Sequence, residues 1–223
     1  VAKPLFDPQI IPVESVAGER ALGPERLTPA WLRQRFAQPA IWTPEHTDEH
    51  LLRMAHTTAP TPASVLLPLV QRAAGLSLLL TQRTDHLTDH GGQISFPGGR
   101  AEACDSSAIE TALRETEEEV GLSRRHVDVI GALPDYLTVT GYRVTPVVSL
   151  VQPPFDLRAD PHEVAEIFEV PLAFLMDGMH HQRRSSEFPG VGRRTFYTMP
   201  YGRFFIWGAT AGMLRNLFHF LRA

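Results

Sequence analysis

At 223 residues, with 43% hydrophobic residues and a formal net charge of -4, the chain is long enough for one large domain, or a domain with an extension, and apolar enough for a real core. That charge balance, with a pI near 6.2, excludes a large basic field and with it nonspecific binding to nucleic acid or an anionic membrane. A single cysteine, Cys104, excludes an intrachain disulfide, VAKPLFDPQI holds no signal-peptide apolar core, and no run approaches the roughly 18 apolar residues that span a bilayer; a cytoplasmic protein is the expectation.

Residues 1–50 are punctuated by proline, with Pro4, Pro8 and Pro12 breaking the first segment. Thr28-Pro29 reads as an N-cap followed by proline in the first helical turn, opening a helix that packs by Leu32 and Phe36. Trp42-Thr43-Pro44-Glu45 repeats the signal for a second helix carrying Leu51, Leu52 and Met54. The apolar supply is thin for a free-standing domain. Residues 1–50 are therefore expected as an extension, packed on the core or at a subunit interface, and residues 51–223 as the main domain.

The core begins near Pro62. Residues 63–70 and 76–81 read as a hairpin reversed at Ala73-Ala74-Gly75, and a polar loop then leads into a strand over 93–96. Phe96-Pro97-Gly98-Gly99 follows as a glycine-rich turn that lets backbone approach a ligand closely. Cys104, in the stretch before the next helix, reads as a solvent-side or packed thiol rather than a nucleophile.

For that helix, Asp105, Ser106 and Ser107 are candidate N-caps, and Gly121 with Leu122 suits the C-terminal end. Ile109, Ala112, Leu113, Thr116 and Val120 recur at steps of three and four, the pattern of a buried stripe. Glu115, Glu118 and Glu119 fall on roughly the opposite side, with Arg114 between the two. Like charges at this spacing repel, and the last helical turn is where the macrodipole favours cations. Acids with an energetic reason to be absent, beside a backbone suited to close contact, point to a divalent metal and phosphate site. The plainer alternative, a solvated acidic face at Glu117-Glu118-Glu119, explains neither the glycine turn nor the position of the acids.

Beyond the helix, residues 127–133 and 143–151 read as strands, residues 135–138 as a loop, and Pro153-Pro154 as a stop. His162–Leu172 alternates acidic and apolar residues, and a short helix over 173–176 follows. Strands over 196–199 and 203–207 precede a last helix from about Thr210, with Met213, Leu214, Leu217, Phe218 and Leu221 as its buried stripe. Strands in the middle with helices outside imply an α+β architecture, an α/β/α sandwich with a central mixed β-sheet between helices.

Gly99, Asp105, Arg114, Glu115, Glu118, Glu119, Gly121 and Leu122 resemble the Nudix box of the Nudix hydrolases, which cleave nucleoside diphosphates linked to another moiety. Family boxes usually carry glutamate where Asp105 stands, one residue fewer before the arginine, and a larger apolar group where Thr116 sits. These departures resemble the coenzyme A pyrophosphatase branch, whose upstream signature is similar to Leu79–Thr84, Gly92 and Phe96–Gly99. Thr88 stands where that branch usually has arginine, and Thr84 where serine or alanine is usual. The resemblance covers roughly residues 60–222.

The resemblance implies a Nudix-like fold and Mg2+- or Mn2+-dependent attack of water on a diphosphate. Coenzyme A (CoA) or its derivatives would yield 4′-phosphopantetheine, or an acyl form, and adenosine 3′,5′-bisphosphate. The expected partner is this small molecule rather than nucleic acid or membrane, and the expected assembly is a monomer or homodimer. Glu115, Glu118 and Glu119 are implied as metal ligands, with the backbone oxygen of Gly99, and Arg114 as the group that orients a box carboxylate through a bidentate pair. Glu166 is the candidate general base, with Glu163 behind it and Glu119 as the alternative from the box. Arg83 suits a phosphate; Gln93, Ser95 and Gly98 lie beside it in the expected site, and His90 is a candidate for hydrogen bonding to phosphate or ribose. Tyr136, Phe196, Tyr197 and Tyr201 are candidates to stack on adenine or line a pantetheine channel. Two alternatives stand: a Nudix hydrolase for another diphosphate such as ADP-ribose or NADH, and a noncatalytic Nudix-like domain that binds nucleotides or a protein partner.

Overall fold

The computed structural model describes residues 7–45, 59–86, 91–188 and 192–223. In chain order its elements are β1 (Ser15–Val16), α1 (Pro29–Ala37), β2 (Thr61–Arg72), β3 (Gly75–Arg83), β4 (Ile94–Ser95), β5 (Gly98–Arg100) and α2 (Ala108–Val120). There follow β6 (Val127–Ala132), β7 (Tyr136–Leu137), β8 (Tyr142–Val151), β9 (Val164–Pro171), α3 (Leu172–Leu175), β10 (Gln182–Phe188), β11 (Gly192–Tyr201), β12 (Phe204–Trp207) and α4 (Gly208–Arg222). Among the described residues no helix is long and apolar enough to cross a membrane.

The near-continuous apolar runs of β2 and β8 make them the spine. They pair in parallel from Thr61 opposite Tyr142 to Val70 opposite Val151, and Leu66, Leu67, Leu69 and Val70 are all fully buried. A strand buried on both faces needs a layer on each side, and the side chains sort accordingly. Leu67, Leu69, Val148 and Leu150 join the cluster that contains Leu214, Leu217 and Phe218 of α4. Leu66 and Val147 face Ala112 of α2, while Val70 and Val151 pack with Val120 and Leu122. The architecture is α+β, a mixed sheet between helices.

The large sheet runs β4-β3-β2-β8-β6, with β5 beside β2, β7 beside β8 and β9 beside β3. Apart from the β2–β8 pair its strands are antiparallel. A second, antiparallel sheet runs β1-β10-β11-β12, and its Tyr197, Met199 and Ile206 enter the main core.

Three short readings change. The glycine-rich segment is not a free turn: Gly98–Arg100 pairs with β2, Gly99 opposite Ser64. The segment read as a loop over 135–138 contains β7, with Tyr136 opposite Val144. Residues 41–45 take no helical form, and Leu51, Leu52 and Met54 lie outside the described residues.

The amino-terminal segment is tied to the core at both ends. β1 pairs with β10, Ser15 opposite Arg183, and α1 opens as the sequence implies, with Thr28 Oγ1 accepting from the Trp31 N–H at 3.3 Å. Leu32 is fully buried, Phe36 and Phe220 rings lie 4.5 Å apart, and Arg35 Nε donates to the Phe220 carbonyl at 2.9 Å. A buried charge cluster completes the seam. Arg215 donates to Glu19 Oε1 at 2.9 Å and to Glu45 Oε2 at 3.0 Å, while Tyr197 Oη donates to Glu45 Oε1 at 2.6 Å.

Candidate active site

Helix α2 is capped by Ser107, whose Oγ accepts from the Glu110 N–H at 3.2 Å, and ends at Gly121, left-handed at φ 68°, where glycine carries no Cβ penalty. Asp105, a candidate cap in the sequence, does different work. Its carboxylate accepts from Nε and Nη2 of Arg114, each at 2.9 Å, from Thr111 Oγ1 at 2.9 Å and from the Glu102 N–H at 2.9 Å. These bonds hold Asp105 well below the usual carboxylate range, the Arg114 bonds contributing most. The bidentate pair expected between Arg114 and a box glutamate is thus made with Asp105. The remaining Arg114 nitrogen, Nη1, donates to Glu115 and to Glu118, each at 3.0 Å.

The helix is also rolled relative to the expected stripe. Its buried residues are Thr111, Ala112, Thr116, Glu119 and Val120, whereas Ile109 is 40% exposed. Thr111 and Thr116 can be buried because their hydroxyls find Asp105 and the Ala112 carbonyl. This roll carries Glu119 inward. Its Oε2 accepts from the Gly98 N–H at 3.1 Å, and its Oε1 lies 3.9 Å from Arg83 Nη1. Burial, opposed by the Gly98 bond and Arg83 but reinforced by the charges of Glu163 and Glu115, pushes the Glu119 carboxyl up to about 8. Burial likewise raises Glu115.

The two glycines explain the close approach. Gly98 sits at φ 152°, and a Cβ on it would overlap the Ser64 carbonyl oxygen; a Cβ on Gly99 would lie 2.5 Å from the Glu115 carboxylate. Glu118, 59% exposed at its side chain, meets Arg114 on the outer side. Among the described residues, no three acid, histidine or cysteine side chains converge on one point closely enough to hold a metal. The donor set nevertheless suits one in kind. Glu115, Glu118, Glu119 and the Gly99 carbonyl offer the oxygen atoms hard divalent ions take, and the raised carboxyls of Glu115 and Glu119 are held in surroundings that a nearby cation would favour electrostatically.

Beside these acids opens a cavity of about 770 Å³. Arg83, Gln93, Ser95, Gly98, Gly99 and Glu115 line it from the large sheet and α2. The segment from Thr138 to Thr140 and Tyr142 form a second part of the wall, and Arg194, Phe196 and Trp207 of the small sheet a third. Ser95 Oγ bonds to Thr81 Oγ1 at 3.0 Å.

The two downstream acids separate. Glu163 lines the cavity, whereas Glu166, on β9 opposite Gln82, is absent from the lining and is ion-paired with Arg203. Of the four aromatic candidates, Phe196 lines the cavity. Tyr136 abuts Gly212, Tyr197 is bonded to Glu45, and Tyr201 packs edge-on against Phe174 at 4.9 Å. His90 and Thr88 lie outside the described residues. Sequence reasoning passed over Arg194, Trp207 and Tyr142. Extending the strand read over 196–199 back by one alternating position, to Arg194, was the signal available.

The model of the NUDIX domain matches residues 60–188. The chain is 46% identical over 160 residues to the uncharacterized Nudix hydrolase NudL of Escherichia coli strain K12, a match spanning 70% of this chain and 80% of that one. NudL of Shigella boydii serotype 18 is 45% identical over the same span. Among solved structures, the chain is similar to RenU, a Nudix hydrolase from M. smegmatis, with TM-score 0.45, 21% identity and coverage of 53% of this chain and 74% of that one. The MutT protein from Methanosarcina mazei Go1 gives TM-score 0.43 and 22% identity, covering 55% and 84%.

Proposed function

This chain belongs to the Nudix hydrolases, enzymes that act on pyrophosphate bonds, and from that premise we propose that it hydrolyses the diphosphate of coenzyme A or a CoA derivative. The products are 4′-phosphopantetheine, or its acyl form, and adenosine 3′,5′-bisphosphate. One juxtaposition carries the reading. Arg83 and Gly98-Gly99, from the segment that resembles the CoA branch signature, line the same cavity as the box acid Glu115. Its volume, about 770 Å³, falls within the roughly 300–1,000 Å³ of small-molecule sites.

Glu115, Glu118, Glu119 and the Gly99 carbonyl would hold Mg2+ or Mn2+, which when bound supplies neutralisation of the diphosphate charge and a more acidic water. The remaining work falls to the chain. Arg83 offers its fork of donors to a diphosphate oxygen. Arg114, clamped on Asp105, fixes the rotamers of Glu115 and Glu118, and the Gly98 N–H fixes Glu119. Glu163, in the cavity wall, is the better candidate to take the proton of the attacking water than Glu166, whose carboxylate is committed to Arg203; Glu119 is the alternative from the box. As the water oxygen bonds to phosphorus, the bridging oxygen leaves.

Chromatography of purified protein incubated with CoA, ADP-ribose and NADH, each with Mn2+ and with chelator, tests the proposal. Adenosine 3′,5′-bisphosphate is expected from CoA only with the metal. Strong turnover of ADP-ribose with CoA left intact contradicts it.

A further inference from the structure

CoA differs from ADP-ribose and NADH in a phosphate on its ribose, separate from the diphosphate. Resting on the CoA reading, we propose that the hairpin of β11 and β12 carries a subsite for this third phosphate, with Arg194 as its cation and Phe196 and Trp207 as the wall on which the attached nucleoside packs.

The acids of the cavity are confined to one part of its wall. Its acids, Glu102, Glu115 and Glu163, come from the β5–α2 segment and the start of β9, and among the described lining residues none comes from β11 or β12. Its described cations are Arg83, Arg100 and Arg194. Arg83 stands 3.9 Å from Glu119, among the acids, where a diphosphate belongs. Arg100 stacks its guanidinium over the Tyr142 ring at 5.3 Å and donates through Nε to the Tyr142 hydroxyl at 2.9 Å. Arg194 belongs to the other sheet. A substrate with phosphate at two separate points matches a cavity with cations on two separate walls.

Alternation along β11 puts Arg194 and Phe196 on one face. Trp207 of β12 meets the Phe196 ring edge to face, with centroids 5.9 Å apart. A guanidinium matches phosphate geometry through its fork of donors, and aromatic faces accept any base by stacking. The hairpin is also fixed relative to the acids: Thr210 Oγ1, just past β12, donates to the Ile94 carbonyl of β4 at 2.9 Å. The subsite and the diphosphate end are therefore held on one frame, and the third phosphate sets how the diphosphate is presented.

The test compares CoA with 3′-dephospho-CoA, which keeps the diphosphate and loses only the third phosphate. The ratio of their kcat/KM values is measured for the wild-type chain, Arg194→Ala and Arg194→Lys. Binding of adenosine 3′,5′-bisphosphate and of AMP is followed by calorimetry, and melting curves check that each variant folds. Arg194→Ala is expected to lower the CoA preference about tenfold through KM, and Arg194→Lys to restore part of it. The wild-type preference for the bisphosphate over AMP is expected to vanish in Arg194→Ala. An unchanged ratio in a folded Arg194→Ala protein, or equal wild-type binding of bisphosphate and AMP, overturns the subsite. CoA left intact by a chain that still prefers the bisphosphate through Arg194 defeats the CoA hydrolase reading and leaves the subsite standing. CoA hydrolysed with no dependence on Arg194 does the reverse.

Discussion

Glu118 and Glu119 are adjacent in the chain and live in different media. Glu119 is buried against the Gly98 N–H, and burial opposes its charge. Replacing Glu119 by Gln keeps the shape and an acceptor for Gly98 while removing a group whose ionisation burial opposes. We expect Glu119→Gln to melt no lower than the wild-type chain in chelator, while kcat falls by about 10²–10⁴. Thermal melts and initial rates check both, and normal turnover would remove Glu119 from the mechanism. Gly98→Ala tests the backbone beside it. Its positive φ and the overlap with Ser64 strain β5 against β2, at a cost of about 1–3 kcal/mol or more, read as a lower urea midpoint with an unchanged slope.

At the scale of the helix, the run Glu117-Glu118-Glu119 divides three ways. Glu117 turns to Arg124 at 2.9 Å, Glu118 to Arg114, and Glu119 to the interior. Spacing alone put the acids away from the apolar stripe; it could not say how far the helix rolls, because the deciding partner, the Gly98 N–H, lies 21 residues away. The same limit explains Asp105. It reads as a cap until the Arg114 fork, nine residues on, competes for it and Ser107 takes the cap. Since that fork holds two box glutamates, Asp105→Asn is expected to lower kcat about 10–100-fold with little change in KM; a loss confined to KM would contradict an orienting role. β5 and β7, three and two residues long, are too short to show alternation. β10 was missed for another reason. Its buried Arg184 is satisfied by the Gln9 carbonyl at 3.1 Å, a contact written in no local pattern. By contrast β2, β8 and α4, long and strongly apolar, were legible because their burial is set by their own periodicity.

Across the whole molecule, the seam between the amino-terminal segment and α4 is electrostatic at its centre. Arg215, only 4% exposed at its side chain, is paired with Glu19 and Glu45, and its Nη1 donates to His181 Nδ1 at 3.0 Å while His181 Nε2 donates to the Leu175 carbonyl at 2.8 Å. Burial, with the Arg215 charge, brings His181 down to about 4 from 6.5. The folded state then binds fewer protons than the unfolded one between these values. His181's contribution is complete above about pH 6.5 and declines towards pH 4, by roughly 3 kcal/mol. Burial alone would raise Glu45, but bonds from His219 and Tyr197 and the Arg215 charge bring it down to about 2, which adds a second decline below about pH 4.5. Urea melts at pH 7.5, 5.5 and 4 check this; equal midpoints would contradict it. Removing residues 1–45 uncovers Arg215 and Phe220 together, so the truncated chain is expected to melt lower or aggregate, and an unchanged melting temperature would refute the seam. The candidate site depends on the same overall frame, since Glu115 enters the cavity from α2, Arg83 from the large sheet, and Phe196 and Trp207 from the small one. The ratio of kcat/KM for CoA to that for ADP-ribose, measured with Mn2+ on the purified chain, tests this account most directly. A ratio well above one, abolished with chelator, is expected; a ratio below one contradicts the CoA assignment.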